Sequence, residues 1–500
     1  MAEGGLEIAA ATPYVGDVPR IVDLCALVFA ACAAPETGGT PDSSTRTPPG
    51  RAAASAAGHD WTRFNVDEGR SGVSDAPTGI TAAVLPSMRR QQVPLDGTVD
   101  ASAIYLHDVQ VGGAGHDAIF VTTSYGKTLA IDANDGTILW RFTPPRYADW
   151  AGSSQITNAT PVADPDRRSI YAAAPDGNIR KLAVADGHAV WTTAITTLPR
   201  REKIASALNF SRGRVIAATG GYVGDAPPYQ GHVAVIDAAT GRLLHVWNSL
   251  CSDRAGLLDP AGCSESGSAI WGRAGAVIDA SGNIFVATGN GRWDGRTNWG
   301  DAVLELDRDA TRLIANYTPE NTQLLDESDA DLGSTSPTIL DATHVAQGGK
   351  DGRIRLLDLQ RAAGAAPHRG GEAEVQSIAT AVVPRFTAPA VLHRSDAVWL
   401  FVADGGGTAA WTMRGGRLTP SWSNGNAGTS PVLAGGLLFV YDPGGTLRVY
   451  EPESGREVNT LVCGSGHWNS PIVADGRIIL PEGSANAHST TGVLAIWRLP

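Results

Sequence analysis

The sequence is poor in charge, in lysine and in sulfur. Only 18% of its 500 residues are Asp, Glu, Lys or Arg, and the formal balance is -12 at pH 7. Binding a nucleic-acid backbone takes clustered cations, so this acidic balance excludes nucleic acid as a partner. Lysine occurs only at Lys127, Lys181, Lys203 and Lys350, a bias that reads as genome composition. The apolar run from Ile21 to Ala34 is interrupted by Asp23 and falls short of the roughly 20 residues that a membrane-spanning helix needs. The five cysteines include no C-x-x-C-H, so covalent haem is excluded, and Cys463-Gly-Ser-Gly-His467 has the wrong spacing for it. The eleven histidines show no zinc-ligand spacing. Nucleophile-elbow and phosphate-loop motifs are also absent. The runs at Gly220-Gly221 and Gly405–Gly407 are turns without the Lys-Ser/Thr of a phosphate loop.

What the chain does have is turn chemistry. Its 59 Gly and 30 Pro favour many short strands joined tightly, and large all-β folds run well past the usual domain length as one unit. An internal repeat decides the architecture. Gly126-Lys-Thr-Leu-Ala-Ile-Asp132 leads into an Asp-Gly136 turn and Trp140. Gly177 begins a second copy through Gly187 to Trp191, and Gly231 a third through Gly241 to Trp247. Weaker copies start at Gly300, Gly352, Gly407 and Gly445, and a half-copy from Gly492 to Trp497 closes the chain. Each is an alternating strand, a turn whose Gly supplies positive φ, and a second strand. Ser/Thr-Pro strands precede several copies, at Thr160-Pro161, Ser336-Pro337, Ser430-Pro431 and Ser470-Pro471. Four strands in about 50 residues is the size of a propeller blade. The reading is an all-β fold, an eight-bladed β-propeller of four-stranded antiparallel blades, with seven blades as the alternative because the Gly407 unit is irregular. Asp60–Asn65 is the expected donor of the outer strand missing from the last blade. The repeat tryptophans Trp140, Trp191, Trp247 and Trp422 read as blade-to-blade packing.

Three segments follow: a leader at 1–32, a Pro/Ser/Thr/Gly-rich linker at 33–58, and the propeller at 59–500. Phe29-Ala-Ala-Cys32 resembles the lipobox of a bacterial lipoprotein signal, which implies export, lipidation of Cys32 and a periplasmic or cell-surface site, with the membrane met only through that anchor. Cys251 and Cys263 bracket a twelve-residue step in the longest interval between repeats, and a disulfide is expected there, in line with an oxidising compartment.

The A-h-D-x-x-T-G-x-x-x-W repeat, with Asp60-Trp61 and Arg70-Ser-Gly72 at its head, resembles the pyrroloquinoline quinone (PQQ)-type propellers. These include quinoprotein alcohol and sugar dehydrogenases and non-enzymatic relatives such as the outer-membrane assembly lipoprotein. The resemblance implies a set of site residues. Trp271, in Ser268-Ala-Ile-Trp-Gly272, matches the tryptophan that stacks on the quinone. Lys350, before Asp351-Gly352, matches the basic residue on the quinone oxygens. Asn290, in Thr288-Gly-Asn, matches a calcium ligand, and calcium takes six to eight oxygen donors. Asp329 and Asp331, in the acidic loop Leu325–Gly333, match the catalytic base, with Asp331 also near the calcium. The glutamate that the family places on calcium is replaced here by Asp225, a methylene shorter. The adjacent Cys-Cys pair of many members is missing. Two functions follow from the resemblance. One is a dehydrogenase that oxidises a small alcohol or sugar with PQQ and calcium. The other is a scaffold that binds an envelope protein or polymer.

Overall fold

The computed structural model describes residues 58–263 and 265–500. The leader, the Cys32 lipidation site and almost all of the 33–58 linker lie outside the described residues. Eight four-stranded antiparallel blades follow the eight repeats, and the repeat glycine stands at or just before the third strand of every blade, from Thr128–Asp132 in the first to Gly492–Arg498 in the eighth. The Gly407 unit is a complete blade, Ala390–His393, Val398–Asp404, Gly407–Arg414 and Arg417–Asn424, so the count is eight. The only α-helix among the described residues is Thr322–Glu327.

Burial decreases outward along each blade. In the first blade every residue of the third strand Thr128–Asp132 is buried, whereas only Trp140 of the outer strand Ile138–Phe142 is. At three joints the repeat tryptophan ties one blade to the next. The Trp140 indole donates to the Val184 carbonyl of the next blade (2.8 Å), Trp191 to Ala238 (3.1 Å), and Trp422 to Pro452 (2.8 Å). Each ring also lies on the turn glycine of that neighbour. Gly187 has φ +75°, and a Cβ there would come within 2.5 Å of the Trp140 ring. The turn therefore requires glycine twice, for its left-handed backbone and for the space the indole fills. Trp247 packs in a cluster with Leu304, Leu306 and Ala310, where alanine takes the turn position at φ +52°.

Around the axis, the Ser/Thr-Pro strands contribute hydroxyls that tie one blade to the next. Ser102 Oγ meets Ser470 Oγ at 2.6 Å, the Ser102 amide donates to Thr160 Oγ1, and Thr429 Oγ1 donates to the Asn469 carbonyl (2.6 Å). Satisfying these inner-end groups matters because they are buried, and an orphaned polar group there costs about 1–3 kcal/mol.

Ring closure differs from the sequence expectation. Arg89–Leu95, not Asp60–Asn65, is the outer strand of the eighth blade and pairs antiparallel with Gly492–Arg498 from Arg89↔Arg498 to Leu95↔Gly492. The reason lies in periodicity. Trp61 and Phe64 are both buried, at 2% and 1% exposure, and residues three apart cannot share one face of a strand. Val93 and Leu95, two apart, are both buried and can. Gln91 Nε2 of the closing strand donates to the Asp135 carbonyl of the first blade (2.6 Å), beside Gly136.

The segment before that strand runs across one end of the ring. Trp61 bridges Tyr105, Arg63 donates to Phe210 O (2.7 Å), Glu68 O accepts from Ile278 N (2.9 Å), and Val73–Ser74 pairs in parallel with Leu433–Ala434. These partners belong to first strands, so the crossing lies at the end that carries the hairpins between first and second strands. The turns between second and third strands open at the opposite end, called upper below.

Trp140→Ala, which empties one interblade contact, is expected to lower stability by about 3–5 kcal/mol, measured by denaturant unfolding. Gly187→Ala is expected to destabilise the same junction, and an unchanged midpoint in both variants would refute this account of the joint.

Candidate functional site

The upper turns of consecutive blades bring together residues far apart in sequence. The half-buried Trp271 indole packs against the Gly220 and Gly289 backbones, where an added Cβ would come within 3.3 Å and 3.2 Å of the ring. Gly289 has a second reason to be glycine, because a Cβ there would lie 2.2 Å from Asp331 Oδ1. The motif Thr-Gly-Asn thus admits a carboxylate against its own backbone. That approach is short-range chemistry, not turn geometry.

Asp331 is 5% exposed. Its Oδ1 accepts the Asn290 amide N–H at 2.7 Å, and its Oδ2 pairs with Lys350 Nζ at 2.5 Å. Asp329 is three-quarters exposed, its side chain at 74%. It accepts from Lys350 Nζ at 3.0 Å and from Asn290 Nδ2 at 2.9 Å. Asn290 Oδ1 is buried and has no hydrogen-bond partner. The Lys350 ammonium also stands 5.6 Å from the centre of the Phe386 ring. Burial alone would lower the Lys350 pKa, but the Asp331 and Asp329 carboxylates outweigh it and hold the ammonium above its usual value. Asp225, on the loop after Gly220-Gly221, faces the same group. Burial pushes its carboxyl up, and the charges of Asp331 and Asp329 push it further, against Lys350 and the Tyr229 hydroxyl. All six residues named by motif are therefore in one neighbourhood, where carboxylates outnumber cations. Among the described residues no three His, Cys, Asp or Glu side chains form a metal cage by themselves.

Asp301 and Tyr229 were not singled out from sequence. Asp301 is 1% exposed, with φ +46°. Its Oδ1 accepts the Leu332 N–H at 2.9 Å and its Oδ2 has no partner. It therefore holds the acidic loop from behind. Burial raises its carboxyl to about 8, with the Leu332 N–H opposing and the Asp331 charge adding to the rise. The one sequence signal was a carboxylate directly before an apolar strand, Gly300-Asp-Ala-Val-Leu304.

Cys251 and Cys263 are joined as a disulfide with a Cα–Cα distance of 5.7 Å. The bridge packs on Leu250 and Leu258 and secures the inserted loop that leads to Trp271. Cys463 is free and half-buried, and burial followed by the Glu482 charge pushes its thiol up to about 12.

Asp301 carries a sign-determined pH prediction. Between about pH 4, the unfolded carboxyl value, and about 8, the folded state holds a proton that the unfolded chain has lost. Stability therefore falls as pH rises through that window. Asp301→Asn is expected to flatten this part of the stability profile and to be more stable than the parent at pH 8. Parallel profiles for the two proteins would remove the assignment.

A family model described as outer membrane protein assembly factor BamB (PQQ_2) matches residues 99–293 and 396–494. Quinohemoprotein alcohol dehydrogenase ADH IIB of Pseudomonas putida is 26% identical over 197 residues, covering 35% of this chain and 27% of that protein. Polyvinylalcohol dehydrogenase of Sphingopyxis sp. is 24% identical over 212 residues, covering 39% and 31%. The chain thus spans less than a third of the length of either relative it matches. Among solved structures, quinohemoprotein alcohol dehydrogenase from Comamonas testosteroni superposes with a TM-score of 0.65 at 16% identity over 88% of this chain and 80% of that one. A europium-containing methanol dehydrogenase gives 0.65 at 13% identity over 88% and 98%. At these identities the structures speak to the fold.

Proposed function

The chain belongs to the PQQ-repeat β-propeller family, and from that premise we propose that it is an extracytoplasmic quinoprotein-type dehydrogenase of alcohols or sugars. The observation that carries this reading is the orphaned Asn290 Oδ1, buried beside Asp331 and Asp329, which both pair with Lys350, in a group whose charges also act on the Asp225 carboxyl. A buried acceptor without a donor and an excess of carboxylates both lack the same thing, positive charge. Calcium fits that lack, because it takes amide and carboxylate oxygens. Asn290, Asp331 and Asp225 would hold it, and Trp271 and Lys350 would hold the quinone. When bound, the quinone would accept hydride and calcium would act as its Lewis acid.

The remaining work falls to the chain. Trp271 is fixed between two glycine backbones, so its ring offers a rigid stacking surface. Lys350 keeps its proton because two carboxylates favour the ammonium, and it orients a carbonyl oxygen by donation. Asp331 has both oxygens engaged and is a fixed negative group. Asp329 is exposed and is the base that takes the hydroxyl proton as the alcohol becomes a carbonyl. The disulfide supports an oxidising compartment. We assign lipidation of Cys32 to the same export route.

A scaffold that binds an envelope protein is the second reading. It is favoured by the Lys350 ammonium seated on Asp331 Oδ2 at 2.5 Å, a cation already in place, and by Asp225 standing where the family has glutamate.

Adding PQQ and calcium to the purified protein is expected to give stoichiometric quinone absorbance and dye-linked oxidation of alcohols or sugars. Trp271→Ala should weaken quinone binding about tenfold or more, and Asp329→Asn should lower kcat by roughly 10²- to 10⁴-fold. No quinone absorbance would overturn the dehydrogenase. Capture of one stoichiometric envelope protein by the same quinone-free preparation would then support the scaffold.

A further inference from the structure

Beside the Lys350 site, and built from different blades, lies a cavity of about 390 Å³ that the reading above does not use. That volume is within the range of about 300–1,000 Å³ usual for small-molecule pockets. It opens on the upper end between the sixth and seventh blades. One wall is aromatic. Trp468 packs on His467 with ring centres 4.3 Å apart and on Phe386 at 5.1 Å. The facing surface is backbone, with Gly405, Gly406 and Gly428 among its residues. Arg385 and Asp404 supply the polar edge, with Arg385 Nε 3.8 Å from Asp404 Oδ2.

Several details mark a built surface. Phe386 has φ +55°, a conformation bulky residues rarely adopt, and its amide is pinned to the Ser334 carbonyl at 3.0 Å. His467 Nδ1 is committed to buried Asp100 at 2.8 Å, and the Trp468 backbone N–H donates to the same carboxylate at 2.8 Å. The aromatic wall is thus positioned from beneath by a carboxylate that never reaches the cavity. At the edge, Arg385 Nε is buried without a hydrogen-bond acceptor, while the Asp404 carboxylate is 2% exposed.

We propose that this cavity is a binding site for a neutral saccharide ring. A sugar has a C–H face for the aromatic wall and hydroxyls at its edge. Hydroxyls both donate and accept, so they suit Asp404 and Arg385 together. The competing ligand classes each fail at one group. An anion meets the Asp404 carboxylate, a cation meets the Arg385 guanidinium, and a hydrocarbon ring leaves the Arg385 Nε without an acceptor, although Asp404 already accepts the Gly406 N–H at 2.7 Å. The site needs neither quinone nor calcium, so it stands or falls apart from the dehydrogenase reading.

The test is calorimetric titration of the full protein, with and without PQQ and calcium, using D-glucose, cyclohexanol and D-gluconate as probes. D-glucose is expected to bind saturably and about tenfold or more tightly than either other probe. Trp468→Ala should weaken D-glucose about tenfold, since the bond to Asp100 comes from the backbone and survives the substitution. Trp468→Phe should retain binding, and Arg385→Gln should weaken D-glucose while leaving cyclohexanol unchanged. These two milder variants decide the matter if Trp468→Ala does not fold. The proposal is overturned if D-glucose shows no saturable binding in either state, if cyclohexanol or D-gluconate binds as tightly, or if the aromatic and arginine variants bind like the parent. Glucose binding without quinone absorbance would keep the site and sink the dehydrogenase, and the converse would do the reverse.

Discussion

One contact, made at three of the eight blade joints, is the most specific link in this protein: an indole from one blade laid on the turn glycine of the next. It joins a directional bond, the indole N–H to a neighbouring carbonyl, with a shape constraint, the missing Cβ at Gly187, Gly241 or Gly455. Elsewhere blades meet through the hydroxyl bonds around the axis and through apolar side chains, which are non-directional and tolerate sliding. At these three joints the indole fixes how one blade stands against the next.

Because the repeat encodes that contact locally, most of the fold is readable from sequence. Alternation, a turn Gly and a Trp recur within about fifteen residues, and all eight third strands begin at or just after the glycines that mark them. Closure is different. Nothing local distinguishes Arg89–Leu95 from another short polar-apolar stretch, since its partner Gly492–Arg498 is some four hundred residues away. The decisive feature was the three-residue spacing of Trp61 and Phe64, which does not fit a strand face.

The candidate site divides in the same way. Trp271, Asn290 and Lys350 sit in short motifs whose glycines permit close approach, so their types and spacing carry information. The acidic loop is legible as charge, yet its two aspartates have opposite environments that only packing reveals, one 5% exposed and the other with a side chain at 74%. Asp301 was silent because its role is to hold Leu332, a partner thirty-one residues on. Phe386 and Trp468 were silent too, being single aromatics on loops of separate blades, and only the ring brings them side by side.

The crossing of the N-terminal segment has a consequence for traffic. Phe64 is 1% exposed and packs among Ala207, Val277, Val345 and Ala388, residues from four neighbouring blades. Arg70, beside it, donates to the carbonyls of Phe64 and Leu208 at 2.7 and 2.8 Å. The propeller axis is therefore corked from below, a blind well instead of a tunnel. Anything that reaches Lys350 along the axis leaves by the mouth through which it came. Two molecules that must both reach the bottom of such a well have to take turns.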